Sequence, residues 1–276
     1  MLLIFVCKIF TFEVVFKSIT THTSIIMKNT LSVLLLCAMA LMACNGNSDQ
    51  ANAKDPSAGK RTPCDTASYE GKKRVAIIIY DGVEVVDMNG PIDVFLKTNY
   101  VVDKYYVYTV AADRSTVYTE DCVTAIQPRF TFDDCPKPDV VVLPGAPMNT
   151  IEGLLKDSTF SRTALNWVKK QATDSSVKIM SVCTGGILLG KTGLLNGKTA
   201  TTHYLALSDM QQMYPQVNVV GGVRYVPAGN IVTTAGITSG IDGALYLVTQ
   251  FEGQTVADSV AHIMVYNPTC PMRAPN

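Results

Sequence analysis

Residues 178–195 read KIMSVCTGGILLGKTGLL, and the fold is decided here. KIMSV is a short apolar run of the length and composition of a strand buried on both faces. Cys183 ends it. Thr184, Gly185 and Gly186 are small enough for the backbone to turn sharply, and ILLGKTGLL then returns the chain as a helix. A strand passing into a helix through a tight turn is half of a parallel βαβ unit.

The same pattern repeats outward. Residues 74–80 (RVAIIIY) form a buried strand closed by Asp81-Gly82, and Gly90-Pro91 opens a helix over PIDVFLKT. Residues 105–111 form a second strand, and residues 139–143 (DVVVL) a third, stopped by Pro144-Gly145. Between them, residues 115–138 hold short β-rich pieces that suit a small hairpin excursion. Ser158 caps a helix reaching about Ala172; a helix at 204–214, a strand at 230–234 and a helix at 237–251 follow. Strands alternating with helices predict an α/β domain with a mostly parallel sheet.

The chain has 276 residues, 47% hydrophobic and 17% charged, enough for a sizeable core. Lys plus Arg and Asp plus Glu number 23 each. That balance, without a basic run, argues against nucleic acid as a partner. The Cys/His spacing does not repeat as zinc ligation requires, and Walker and GxGxxG turns are absent, so the sequence implies no metal and no cofactor.

The N-terminal region has a different character. From Met27 the chain reads MKNTLSVLLLCAMALMAC: one Lys, an apolar run from Leu31 to Met42, then Ala43-Cys44. This has the form of an export signal, too short for a membrane span of about 20 residues. LMAC resembles a bacterial lipobox, which makes Cys44 the lipidated N-terminus of a cell-envelope protein held to the membrane by its acyl chains alone. The expected organisation is a misassigned upstream segment over 1–26, a signal peptide over 27–43, a polar tether over 44–71 and one domain over 72–276. Besides Cys44 and Cys183, Cys64, Cys122, Cys135 and Cys270 allow three full pairings or none; Cys122–Cys135 is the first choice in an oxidising compartment.

In open α/β sheets, sites form where strand C-termini meet helix N-termini. Asp87, Gly145 and Cys183 lie at such ends, and Cys183 stands out. The helix after it directs N–H groups and a dipole at the sulfur, which favours thiolate, and the Gly145 loop can offer a further N–H to an anionic intermediate.

Four ordered segments, residues 75–95 (VAIIIYDGVEVVDMNGPIDVF), 139–147 (DVVVLPGAP), 181–204 (SVCTGGILLGKTGLLNGKTATTHY) and 233–248 (TTAGITSGIDGALYLV), resemble the ThiJ/PfpI family of class I glutamine amidotransferase-like proteins. Within it they are similar to isonitrile hydratases and to the sensor domains of AraC-type regulators. The resemblance implies a flavodoxin-like three-layer α/β/α sandwich and a homodimer. It implies a catalytic Cys183, Asp87 and Thr184, with backbone N–H groups of Gly145 and Gly185 around the developing anion. Thr184 stands where family proteases carry His, which disfavours a Cys-His dyad. His203 in TTHY fits the family text near the pocket, although a structural histidine is the simpler reading.

Three functions follow from the resemblance. The first is hydration of a small electrophile such as an isonitrile to an N-substituted formamide. In that reaction the Cys183 thiolate attacks, Asp87 shuttles protons and Thr184 holds the acid or water. The second is non-catalytic ligand sensing. The third is a carbonyl-stress activity of the glyoxalase or deglycase type. On this reading Cys183 is thiolate while a protonated Asp87 donates to it.

Mass spectrometry of the mature protein should show lipid on Cys44 and nothing upstream; an N-terminus at Met1 would overturn both the lipobox and the late start. Light scattering at micromolar concentration should return a dimer, and a monomer would count against the family-derived assembly.

Overall fold

The computed structural model describes residues 70–267, all within one compact unit, Cys64–Asn276. The upstream segment, the signal and Cys44 lie outside the described residues, as do nearly all of the tether, Cys64 and Cys270.

β1 (Lys73–Ile78), β2 (Tyr105–Ala111), β6 (Val140–Leu143), β7 (Lys178–Val182) and β11 (Ile231–Thr234) make the body of a seven-stranded sheet. The two-residue β5 (Phe130–Thr131) extends it beside β2, and β10 (Tyr225–Ala228) closes the other edge. The order is β10-β11-β7-β6-β1-β2-β5, parallel except for the β10–β11 pair. β6 and β11 are buried at every position, and so are the last four residues of β1 and β7. Unbroken apolar runs are what a sheet covered by helices on both faces requires. One helical group is α1 (Val85–Thr98), α6 (Ser239–Glu252) and α7 (Gln254–Ile263), which pack on one another. The other is α2 (Met148–Lys156), α3 (Asn166–Ala172), α4 (Gly185–Lys191) and α5 (Leu207–Met213), with α4 touching β6, β7, α2 and α5. The result is the doubly wound, flavodoxin-like arrangement expected from the sequence.

Four local features differ from the sequence reading. α1 starts at Val85, not at Gly90-Pro91: Glu84 caps it by accepting the Asp87 N–H, and Pro91 lies inside the helix. The helix before β7 is capped by Asp157, whose carboxylate accepts the Thr159 N–H at 2.7 Å, and it passes through a π-turn at Ser161–Leu165 before α3. The 115–138 excursion does contain a hairpin, β3 (Val117–Tyr118) against β4 (Ala125–Ile126), but it ends by giving β5 to the main sheet. Cys122 and Cys135 are both free thiols, the first exposed and the second half-buried, so the Cys122–Cys135 pairing is not formed. The remaining pieces are β8 (Thr199–Ala200) paired with β9 (Asn218–Val219) and a 3-10 turn at Tyr204–Ala206. Among the described residues no helix is long and apolar enough to cross a membrane.

Candidate active site

Cys183 follows β7 directly and has φ 55°, a left-handed conformation that residues with a Cβ rarely adopt. Strain of this kind costs about 1–3 kcal/mol and persists only where surrounding bonds enforce it. Here they do. The Cys183 N–H donates to Thr234 O at 3.2 Å, and its carbonyl accepts the Gly186 N–H at 3.1 Å and the Thr202 hydroxyl at 2.7 Å. Three bonds of about 1 kcal/mol each are enough to offset that cost. The turn exposes little of the residue, since Cys183 is only 7% accessible.

Asp87 comes from the first turn of α1 and is 0% accessible. Its Oδ2 accepts the Gly145 N–H at 3.0 Å. Oδ1 is buried without a hydrogen-bond partner of ordinary geometry, while the Glu84 and Cys183 side chains both stand close enough to act on the carboxyl. Burial, then the negative charge of Glu84, push Asp87 up to about 8; the Gly145 N–H pulls the other way. Ionising a carboxyl this deep at pH 7 is less favourable than keeping its proton. Asp87 is therefore a neutral acid at pH 7, as the sequence reading supposed.

The thiol differs from that reading. Burial, and next the nearby Asp87, push Cys183 up to about 12 instead of lowering it. The N–H groups of Thr184 and Ile237 do favour the thiolate, but burial outweighs them, because α4 is only seven residues long and its first turn is enclosed. At neutral pH the pair holds both protons. The first proton leaves from Asp87, and the charge it leaves helps hold the thiol up, so the two titrations are coupled.

The other expected residues are all close by, in roles partly different from those anticipated. The Thr184 hydroxyl accepts the Ala146 N–H at 2.9 Å and donates to Ala146 O at 2.7 Å. It fastens the β6 loop to the turn, and the hydroxyl proton is not available to hold the acid or a water. Gly145 is wedged between Thr184 and Asp87, where a Cβ would lie 2.8 Å from Asp87 Oδ2. Its N–H goes to Asp87 and not toward a developing oxyanion. Gly185 is required for contact, since a Cβ there would collide with Leu143 O and lie 2.8 Å from Pro144 O. His203 caps the 3-10 turn through Nδ1, which accepts the Leu205 N–H at 3.4 Å, and its ring lies against Gly236. That is a structural role beside the loop carrying Ile237. Sequence reasoning missed Glu84, Thr202 and Ile237. The first two had a signal, an acid one turn before Asp87 and a hydroxyl in TTHY; a backbone N–H such as that of Ile237 leaves none. Among the described residues no group of three His, Cys, Asp or Glu side chains is placed to hold a metal.

Residues 73–250 match the DJ-1/PfpI family. Isonitrile hydratase from Pseudomonas putida is 33% identical over 198 residues, covering 72% of this chain and 80% of the hydratase. The crystal structure of a ThiJ/PfpI family protein from Pseudomonas syringae superposes with a TM-score of 0.62 at 28% identity, over 75% of this chain and 80% of that one. An AraC family transcriptional regulator from Pseudomonas putida shares the fold with a TM-score of 0.57 at 17% identity, over 70% of this chain and 99% of that structure.

The electrostatics fix the pH response of the thiol. Iodoacetamide alkylation of Cys183 should stay slow through about pH 8, where Asp87 loses its proton, and rise only toward about 12, where the thiol ionises. Replacing Asp87 with Ala removes a group that pushes the thiol up and should shift the rise in alkylation to lower pH. Slower alkylation in Asp87→Ala at every pH would mean instead that Asp87 stabilises the thiolate as a protonated donor.

Proposed function

The chain belongs to the DJ-1/PfpI family, and on that premise we propose that it is a cysteine-dependent hydratase or hydrolase of a small uncharged electrophile, with an isonitrile as the leading substrate. The observation that carries this reading is the strained, clamped Cys183 beside a buried acid that keeps its proton.

The chemistry follows from that pair. As substrate enters, the thiol proton passes by way of Asp87 to the isonitrile carbon while sulfur bonds to the same carbon, giving a thioimidate. Water then adds across the C=N bond, Asp87 taking a proton from the water as it passes its own to nitrogen. The C–S bond breaks as the hydroxyl proton of the adduct passes by way of Asp87 to sulfur, and R–NH–CHO leaves with the thiol restored. The net reaction is R–NC plus water to the N-substituted formamide, so no oxidant or cofactor enters the balance. The Thr184 and Ile237 N–H groups, which already favour negative sulfur, are placed to favour charge developing beside it.

Substrate charge is constrained by the same field. Asp87 and Glu84 are the ionisable groups that act most strongly on the thiol, and both raise its pKa. An anionic substrate would bring its charge into a buried site beside an acid already held neutral, whereas a neutral electrophile brings none. The proposal includes export, lipid attachment at Cys44 and a homodimer, supported by the lipobox-like LMAC and by the family resemblance.

Ligand sensing is the second reading. It is favoured by the thiol's being held as S–H, pushed up to about 12, which suits binding better than attack. A panel of an alkyl isonitrile, methylglyoxal and a carboxylate-bearing aldehyde, each with a Cys183→Ala control, separates the readings. Formamide production from the isonitrile alone, lost in Cys183→Ala, is the expected result. Turnover of methylglyoxal instead would shift the assignment to carbonyl-stress chemistry. Saturable binding without turnover of any compound would establish the sensor.

A further inference from the structure

Arg224 plays no part in the reaction scheme, yet it holds both ends of a loop that borders Cys183. β11 ends at Thr234, whose carbonyl accepts the Cys183 N–H at 3.2 Å, and residues 235–238 then run to the start of α6. Within this loop the Ile237 N–H donates to the Cys183 sulfur. A Cβ on Gly236 would lie 2.7 Å from the His203 ring, so the loop has no room to shift on that side. The Arg224 carbonyl accepts the Ala235 N–H at 2.9 Å, where the loop leaves β11. Arg224 Nη2 donates to Thr238 Oγ1 at 3.2 Å, where the loop enters α6. The same guanidinium donates from Nε to Asp242 Oδ2 at 2.8 Å and from Nη2 to the Tyr266 hydroxyl at 2.9 Å. That hydroxyl in turn donates to Asp242 Oδ2 at 2.9 Å.

An ion pair tying the start of β10 to α6 would need only Asp242, so the bond to Thr238 calls for a separate reason. Thr238 is the N-cap of α6, a position where threonine ordinarily accepts an N–H of its own helix. Here its side chain caps nothing, and its oxygen accepts from Arg224 instead. Asp242 is only 3% exposed, and a carboxylate that deep holds its cation firmly because neither is tolerated alone. The planar fork of the guanidinium then reaches Asp242 and Thr238 at once. We propose that Arg224 is a positioning residue, which fastens the 235–238 loop to β10 so that the Ile237 N–H stays on the Cys183 sulfur. The inference rests on the reading of Cys183 as a reactive thiol. A hydrogen bond donated to sulfur favours the thiolate, and it does so only while donor and sulfur stay within bonding distance. Backbone N–H groups cannot be aimed by a rotamer, so the aim has to come from whatever anchors the loop.

Thr238→Val removes the acceptor and leaves the contacts among Arg224, Asp242 and Tyr266 in place. Thr238→Ser restores the acceptor. Arg224→Lys keeps a positive charge for Asp242 but, as a single ammonium, does not span both partners. The measurement is iodoacetamide alkylation of the intact protein at about pH 9, below the thiol's own midpoint, where the rate follows the thiolate fraction. It is read on the Cys183 peptide by mass spectrometry so that Cys122 and Cys135 do not contribute, with melting temperature recorded in parallel. Thr238→Val and Arg224→Lys should both alkylate several-fold more slowly than wild type, and Thr238→Ser should recover the wild-type rate. Lost stability cannot imitate this result, because partial unfolding exposes the buried thiol and speeds alkylation. If Thr238→Val reacts at the wild-type rate or faster, Arg224 is a strut between β10 and α6 and the inference is overturned. Failure of wild-type Cys183 to alkylate at any pH would instead refute the reactive-thiol reading beneath it.

Discussion

The left-handed turn at Cys183 is the constraint on which the rest of the site depends. A residue with a Cβ adopts φ 55° only under compulsion, and the compulsion comes from three elements: β11 through Thr234, α4 through Gly186 and the 201–203 segment through Thr202. Once the turn is fixed, the small residues around it become obligatory. Gly185 must be glycine because the start of α4 presses on the Leu143 and Pro144 carbonyls, and Gly145 because it fills the gap between Thr184 and Asp87. The sequence SVCTGG is thus a record of close approach as well as of turning.

Burial then sets the chemistry. The enclosure that keeps water from the thiol also withholds the solvation a thiolate needs, and the short α4 offers too small a dipole to compensate. A thiol in this setting needs help to ionise, and the structure supplies it as a proton acceptor and donor kept neutral next to it. Asp87 can play that part because burial and the neighbouring Glu84 both favour its neutral form. The site therefore stores reactivity in a pair, and neither member has the character of its free side chain.

Much of this was legible in the sequence and some was not, for physical reasons. β2 and β7 have the bounds read from their apolar runs, because a parallel strand buried on both faces leaves an unbroken signal. The start of α1 was misread because Gly90-Pro91 resembles a helix opening, whereas the true cap, Glu84, is not a residue type favoured there. α7 escaped notice because only Ala257 and Val260 of its ten residues are buried, too sparse a stripe to show as a period. Cys183, Asp87, Thr184, Gly145 and Gly185 were all identified and all meet at one place. What could not be read was the division of hydrogen bonds among them. The Gly145 N–H has Asp87 as its acceptor and the Thr184 hydroxyl has Ala146, and only three-dimensional proximity decides that.

The position of the site within the sheet accounts for its adaptability. The chain leaves β1 toward β2 on one side and later proceeds from β6 to β7 on the other, so the direction of winding reverses between β1 and β6. A crevice opens at such a reversal because the two connections diverge. Asp87 follows β1, Gly145 follows β6 and Cys183 follows β7, three strands adjacent in the sheet. Their spacing is fixed by strand register, with Ile77 opposite Val142 and Leu143 opposite Ser181, and not by any loop. The exposed Tyr204, Leu205 and Ile237 belong to connections beyond that frame. Changes there can alter what enters the crevice without moving acid or thiol. A frame of this kind can serve a hydratase and a regulatory domain alike, since the pair depends on the sheet and the ligand depends on the rim.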